Sequence, residues 1–282
     1  MPQIKKILFP VDFSESSLGA GRYVEAFAGQ FEAEIMLLHV ITMGEHTLPE
    51  ELMSRRQAKL DAFMADELKY FTTQRICTIA NYKIDPSQVI VETALSWCPD
   101  IVTLPTHGLG FFRRHLLGSV TAKVLHDLRC PVWTSVHAES APALEDIHCR
   151  RILCSVDLGV CSRRVLQWAA WLAKQYQAEL GIVHATAAID ASVASLNIEE
   201  EFDRQVSTQA KARIDALQAE AGTTAEVFIN PGPPEEIVAD AASDFKADLL
   251  VIGRHSDDGI TGNLFQSASS ILREAPCPVV SV

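Results

Sequence analysis

The residues best suited to chemistry in this 282-residue chain lie between Pro105 and Thr121. Pro105, Thr106, His107 and Gly108 come first; after nine residues Gly118, Ser119, Val120 and Thr121 follow. Gly108 lets the backbone approach a bound group closely. Gly118 and Ser119 read as the opening of a helix, whose free N–H groups and dipole favour an anion. Arg113, Arg114 and His115 stand inside the loop and add positive charge. The chemistry these types define is the holding of a phosphate or a similar anion. Gly108-x-Gly110-x-x-Arg113 lacks the third glycine of a dinucleotide fingerprint and follows the wrong strand for one. The chain contains no Gly-Lys-Ser/Thr, Gly-x-Ser-x-Gly or His-Glu-x-x-His pattern.

Such a loop has to be held by a strand before it and a helix after it. Asp100 to Thr106 is a short apolar run of strand type, and Ala122 to His126 continues a helix. Upstream, Ile4 to Asp12 reads as a strand that ends on an acid. Ser14 and Ser16 are candidate caps for a helix over 17–31. Ala33 to Ile41 is apolar almost throughout, as in a strand buried on both faces. Pro49 to Phe71 reads as a long helix with Glu50 and Glu51 in its first turn. Arg75 to Asn81 is the third strand. Asp85 caps a helix through Ser96, and Pro131 to Val136 is the fifth strand. Strands alternating with helices predict a parallel sheet covered on both faces.

Composition narrows the partners. Hydrophobic residues are 48% of the chain, enough for full cores, and the formal net charge is -12. That charge argues against nucleic acid or an anionic membrane as a main partner, but not against a small anion in a local pocket. No run of about eighteen apolar residues is present to span a membrane, and Met1 to Lys6 lacks a signal-type apolar core. Seven cysteines, odd in number and without Cys-x-x-Cys pairs, predict reduced thiols in the cytoplasm. Cys149, Cys154 and Cys161 receive no role. His39, His184, Trp168 and Trp171 read as core residues; Phe111-Phe112 packs its loop down or faces a partner.

After a polar, proline-bearing connection the pattern starts again. Lys6-Ile7-Leu8-Phe9-Pro10-Val11-Asp12 is matched by Arg151-Ile152-Leu153-Cys154-Ser155-Val156-Asp157. Leu38-His39-Val40 is matched by Val183-His184-Ala185, Asp100-Ile101-Val102 by Asp248-Leu249-Leu250, and Cys130-Pro131-Val132 by Cys277-Pro278-Val279. Nearly constant offsets across separate segments mean two copies of one fold. The expected division is a first domain over 1–137, a linker over 138–150 and a second domain over 151–282.

On these residues both halves resemble the universal stress protein family. The first half carries Pro10-Val11-Asp12, Leu38-His39-Val40, and Thr106-His107-Gly108 with nine residues before Gly118-Ser119. The family's nucleotide-binding members carry Gly-x2-Gly-x9-Gly-Ser/Thr there. The resemblance implies two doubly wound α/β domains, each a five-stranded parallel sheet of order 3-2-1-4-5 with helices on both faces. It implies an adenine nucleotide, ATP with or without magnesium, at the strand ends of the first domain. Pro10, Val11 and Asp12 take the adenine-side positions and Val40 a base-packing one. Pro105, Thr106, His107 and Gly108 enter the phosphate loop; Gly118, Ser119, Val120 and Thr121 close it. Asp12 is read as a hydrogen-bond acceptor ahead of a metal ligand.

Two departures shape the expectation. Pro105 replaces the family's first glycine and has no N–H to donate. In the second half Ser256 and Gln266 replace two glycines, and Gln266 sets a side chain where a helix start would face a phosphate; that half is read as a degenerate site serving as scaffold. Two functions stay open: a cytoplasmic stress-response protein that binds ATP in its first half, or an interaction module whose sites are both relics. Turnover of ATP is expected to be slow at most, because the loop offers no general base. The final strand of each half implies a pseudo-dimer within the chain, or a homodimer, with a protein partner not named by the sequence.

Overall fold

The computed structural model describes residues 3–42, 50–63, 65, 68–79, 85–106, 117–135, 137–187, 196–254 and 261–282. At 42, 71–79, 196–200 and 261–267 it describes the backbone alone. The chain divides into two compact units, residues 2–148 and 149–282.

In the first unit the order is β1 (Lys6–Pro10), α1 (Glu15–Phe31), β2 (Glu34–Thr42), α2 (Glu50–Ala62), β3 (Phe71–Ile79), α3 (Pro86–Trp97), β4 (Ile101–Pro105), α4 (Ser119–Asp127) and β5 (Val132–Ser135). The strands lie in the order β3-β2-β1-β4-β5, and every adjacent pair is parallel. The second unit repeats this with β6 (Arg151–Ser155), α5 (Ser162–Tyr176), β7 (Glu179–Thr186), α6 (Leu196–Ala221), β8 (Glu226–Pro231), α7 (Pro234–Phe245), β9 (Leu249–Ile252), α8 (Thr261–Glu274) and β10 (Val279–Ser281). Its order, β8-β7-β6-β9-β10, is the same topology. Each unit is thus the doubly wound α/β fold with strand order 3-2-1-4-5.

The cores sit under the central strands. Ile7, Leu8, Phe9, Leu38 and Ile101 are fully buried in the first unit, and Ile152, Leu153, Cys154 and Val183 in the second. Strands buried on both faces need apolar residues in succession, and that is the pattern the sequence carries. The copies also agree in polar detail. Asp100 Oδ2 accepts the N–H groups of Lys5 (2.7 Å) and Lys6 (2.9 Å). Asp248 Oδ2 accepts those of Arg150 (2.7 Å) and Arg151 (2.9 Å). Each carboxylate closes the amino-terminal gap between a central strand and its neighbour.

Two stretches depart from the sequence expectation. The helix expected over 49–71 ends at Ala62, and β3 starts at Phe71. Phe63 and Leu68 are buried beyond the end of α2. Backbone pairing of β3 with β2 from Ile35↔Phe71 onward takes the chain that helical periodicity would have claimed. The expected linker is no free tether: 3₁₀ turns at 138–140 and 144–146 lie on α1 within the first unit. Ala138 is buried there, and Arg22 donates to the Ala141 carbonyl (3.1 Å). Gly19 makes this possible, since a Cβ on it would stand 1.6 Å from the Ala138 oxygen.

Candidate functional site

The switch point of the first sheet lies between β1 and β4, where chain crossovers turn to opposite sides and ligands of such folds bind. Pro10 ends β1 and Val11 follows, both buried. The Val11 N–H bonds to the Leu38 carbonyl (2.9 Å), and its own carbonyl lies 2.8 Å from His39 Nδ1. A carbonyl only accepts, so Nδ1 carries the proton. Burial pushes the His39 pKa below its ordinary value; the Val11 carbonyl opposes this, and the cations Arg56 and Lys59 reinforce it.

Asp12, half-buried, organises the turn into α1. Its Oδ1 accepts the Ser14 N–H (3.0 Å), the Ser14 hydroxyl (2.6 Å) and the Ser17 hydroxyl (2.7 Å). Ser14 is the N-cap of α1 and accepts the Ser17 N–H (3.1 Å). Between them Phe13 adopts φ 63, a conformation that costs a non-glycine residue about 1–2 kcal/mol. Its ring is thereby set against His39, with centroids 4.4 Å apart and planes tilted by 47°, under the Lys59 ammonium at 4.6 Å. Val40 is half-buried in β2, opposite Cys77 of β3.

On the other side of the crevice β4 ends at Pro105. The N–H groups of Val102 and Thr106 bond to β5, at the Pro131 and Ser135 carbonyls (3.0 and 3.1 Å). Successive N–H groups of a parallel strand face alternate neighbours, so position 105 faces the β1 side. The donor that proline lacks is therefore missing from the crevice. The hydroxyls of Thr106 and Thr121 are both buried and donate to the Ser135 carbonyl (2.9 Å) and the Pro105 carbonyl (3.0 Å). They join β4, β5 and α4.

Gly118 is the N-cap of α4 and brings no side-chain oxygen to it. Its N–H bonds to the Thr106 carbonyl (2.8 Å), and a Cβ on it would lie 3.0 Å from that oxygen. Glycine thus allows the helix to start against the end of β4. The first bond within the helix runs from the Ala122 N–H to the Gly118 carbonyl (2.8 Å). The N–H groups of Ser119, Val120 and Thr121 precede it, at the positive end of the dipole. Ser119 is exposed and Val120 half-buried. His107 and Gly108, with Phe111, Phe112, Arg113, Arg114 and His115, lie outside the described residues.

The second unit repeats the acidic turn and changes the loop. Asp157 Oδ1 accepts the Gly159 N–H (2.8 Å) and the Ser162 hydroxyl (2.7 Å). Leu158 takes the Phe13 conformation, with φ 61. His184 Nδ1 lies 2.7 Å from the Val156 carbonyl. His184 is only half-buried, and it lines a cavity of about 150 Å³ at the strand ends, so it is no simple core residue. The expectation for Gln266 needs correction. Gln266 and Ser267 do not stand at a helix start, because α8 begins at Thr261 and runs through them. Gln is a good helix former and glycine a poor one, so without a counterpart of Gly118 the helix extends toward its N-terminus. The N–H at 266 is then spent inside the helix.

The sequence missed Arg56 and Lys59, which α2 brings to the crevice, and Arg254, which lines the second cavity. Each meets its neighbours only through tertiary packing, and no local motif announces them. Cys98, Cys130, Cys149, Cys154, Cys161 and Cys277 form no disulfide. Burial, with Asp248 nearby, pushes Cys149 and Cys277 up to about 12, so neither is a reactive thiolate. Among the described residues no three His, Cys, Asp or Glu side chains gather as a metal site, and no helix is long and apolar enough to cross a membrane.

Fold and site together define a tandem of doubly wound α/β units, in the first of which the N-terminus of α4 stands at the switch point. A model of the universal stress protein family matches residues 3–135 and again 148–282, and the chain belongs to that family. A universal stress protein of Thermus aquaticus is 30% identical over 135 residues, spanning 47% of this chain and 98% of that protein. One from Mycobacterium tuberculosis is 27% identical over 191 residues, spanning 64% of this chain and 61% of its own. The crystal structure of a universal stress protein from Archaeoglobus fulgidus aligns with a TM-score of 0.68 at 21% identity, covering 99% of this chain and 96% of that one. At that identity the match speaks for the fold.

Proposed function

We propose that the first unit binds an adenine nucleotide of the ATP type at the crevice between β1 and β4, and that the second unit serves as its scaffold in a stress-response protein. The observation that carries this reading is Gly118. It sets the N-terminus of α4 against the end of β4, where a Cβ would stand 3.0 Å from the Thr106 oxygen. Anions bind at such termini. Asp12, Val11 and Val40 line the approach on the adenine side, in the positions that the family motif gives them. Magnesium arrives with the nucleotide, bound to its phosphates. Arg56 and Lys59 add positive charge at the edge of the crevice.

The test is calorimetry of the full chain with ATP and magnesium. Wild type gives a saturable heat. Gly118→Val gives none, with far-ultraviolet circular dichroism unchanged. Absence of heat from folded wild type overturns the proposal and leaves the interaction module, which the missing donor at Pro105 favours.

A further inference from the structure

Among the described strands β8 has a neighbour on one side only, β7. Its other side is a sheet edge, where backbone groups stand unpaired and can take up a further strand. The corresponding edge in the first unit is bulged: Ile35 pairs with Phe71 but Met36 with Thr73, so β3 carries an extra residue. A bulge blunts an edge. β8 keeps step with β7 without a break from Gly181↔Glu226 to Thr186↔Pro231.

The groups on the free side follow from alternation. The Gly232 N–H bonds to the Thr186 carbonyl of β7 (3.0 Å). Residues 226, 228 and 230 therefore also face β7, and 225, 227, 229 and 231 face outward. Two of these four are closed to pairing. The Ala225 N–H donates to Gln218 Oε1 (2.5 Å), and Pro231 has no N–H. Val227 and Ile229 remain, each with an N–H and a carbonyl directed outward.

An identical strand suits this edge at every position. Laid antiparallel about a two-fold axis at Phe228, Val227 meets Ile229 of the second copy and Ile229 its Val227. The two pairs exchange four backbone hydrogen bonds. Ala225 and Pro231, which cannot donate, then stand opposite each other. Phe228 meets its own copy; its ring, 5.8 Å from that of Phe245, is half-buried. Glu226 and Asn230 are both exposed and fall opposite each other at either end, so an amide meets the strand's one charge. A shift of the register by two residues would set Glu226 opposite Phe228 or Gly232 instead. We infer that β8 is a self-association edge, and that its partner is β8 of a second copy of this chain in an isologous, antiparallel pair.

Sedimentation velocity of the full chain over a range of concentrations tests this. Wild type shows a reversible monomer–dimer equilibrium. Asn230→Glu sets carboxylates opposite each other and weakens the dimer by about fivefold, whereas Asn230→Lys tightens it by a similar factor. Ile229→Pro removes an outward donor, spares the bonds to β7, and abolishes the dimer. Hydrogen exchange over 226–231 slows as concentration rises. A wild type that stays monomeric at every concentration overturns the inference. So does a dimer indifferent to both Asn230 variants, which would place the contact on another surface. If Ile229→Pro does not fold, the opposed effects of the two substitutions at exposed Asn230 still decide.

Discussion

Pro105 withholds one donor from the crevice at the point where β4 meets it. Its carbonyl is kept in use by the Thr121 hydroxyl, so what proline removes is the N–H alone. Gly253, at the matching place just after β9, retains that N–H. Pro105→Gly is therefore expected to tighten ATP binding by about tenfold, the worth of a hydrogen bond to a charged group. Calorimetry on the pair of proteins measures this, and equal affinities would mean that the position contacts the nucleotide through its carbonyl or not at all. Asp12 and Gly118 were legible in the sequence because their spacing from strand and helix ends is local. Arg56 and Lys59 were not. They reach Phe13 and His39 from α2, and nothing in α2 itself says which of its faces meets the end of β1.

Elements carry their own constraints, and α1 carries two. On one side Gly19 admits the turn at 138–140. Gly19→Ala sets a methyl group into the Ala138 carbonyl, and overpacking of this kind costs about 1–3 kcal/mol. Urea unfolding of the variant is expected to show a lower midpoint with an unchanged slope. On the other side Glu25 is buried and accepts the Lys69 N–H (2.9 Å), which fixes the chain just before β3. Burial raises its pKa, although the N–H groups of Lys69 and Tyr70 and the Lys69 ammonium oppose this. A carboxyl whose pKa is raised on folding contributes most below its unfolded pKa, and that contribution is lost as pH rises through the folded value. Glu25→Gln keeps an acceptor for Lys69 and does not ionise. Its stability relative to wild type should grow as pH rises through the carboxyl range and level off above it; a difference that stays flat with pH would show that the charge does not matter. Sequence periodicity showed α1 clearly, yet it overran α2, because this buried acid holds the chain at Lys69 and β2–β3 pairing takes it from Phe71.

At the scale of the whole chain, duplication was the most legible feature, since the polar clamps at the strand ends recur with the sequence. Asp100 and Asp248, His39 and His184, and Phe13 and Leu158 repeat in geometry as well as in order. Divergence in the sequence pattern is greatest where β4 and β9 lead to the next helix, at Gly118 and Gln266. Gly118 stops α4 at the crevice, whereas α8 runs through the corresponding residue. The sequence showed the lost glycines, but whether the helix would extend depended on backbone continuity over 261–267. On the proposed reading one chain offers one phosphate-binding helix start rather than two. The expected stoichiometry is one ATP per chain, in calorimetry and in nucleotide retained through native mass spectrometry. Gly118→Val takes that value to zero, and Arg254→Met leaves it at one. A stoichiometry of two, with half the binding surviving Gly118→Val, would place a nucleotide in the second unit and show that the extended α8 yields its first turns to the phosphates.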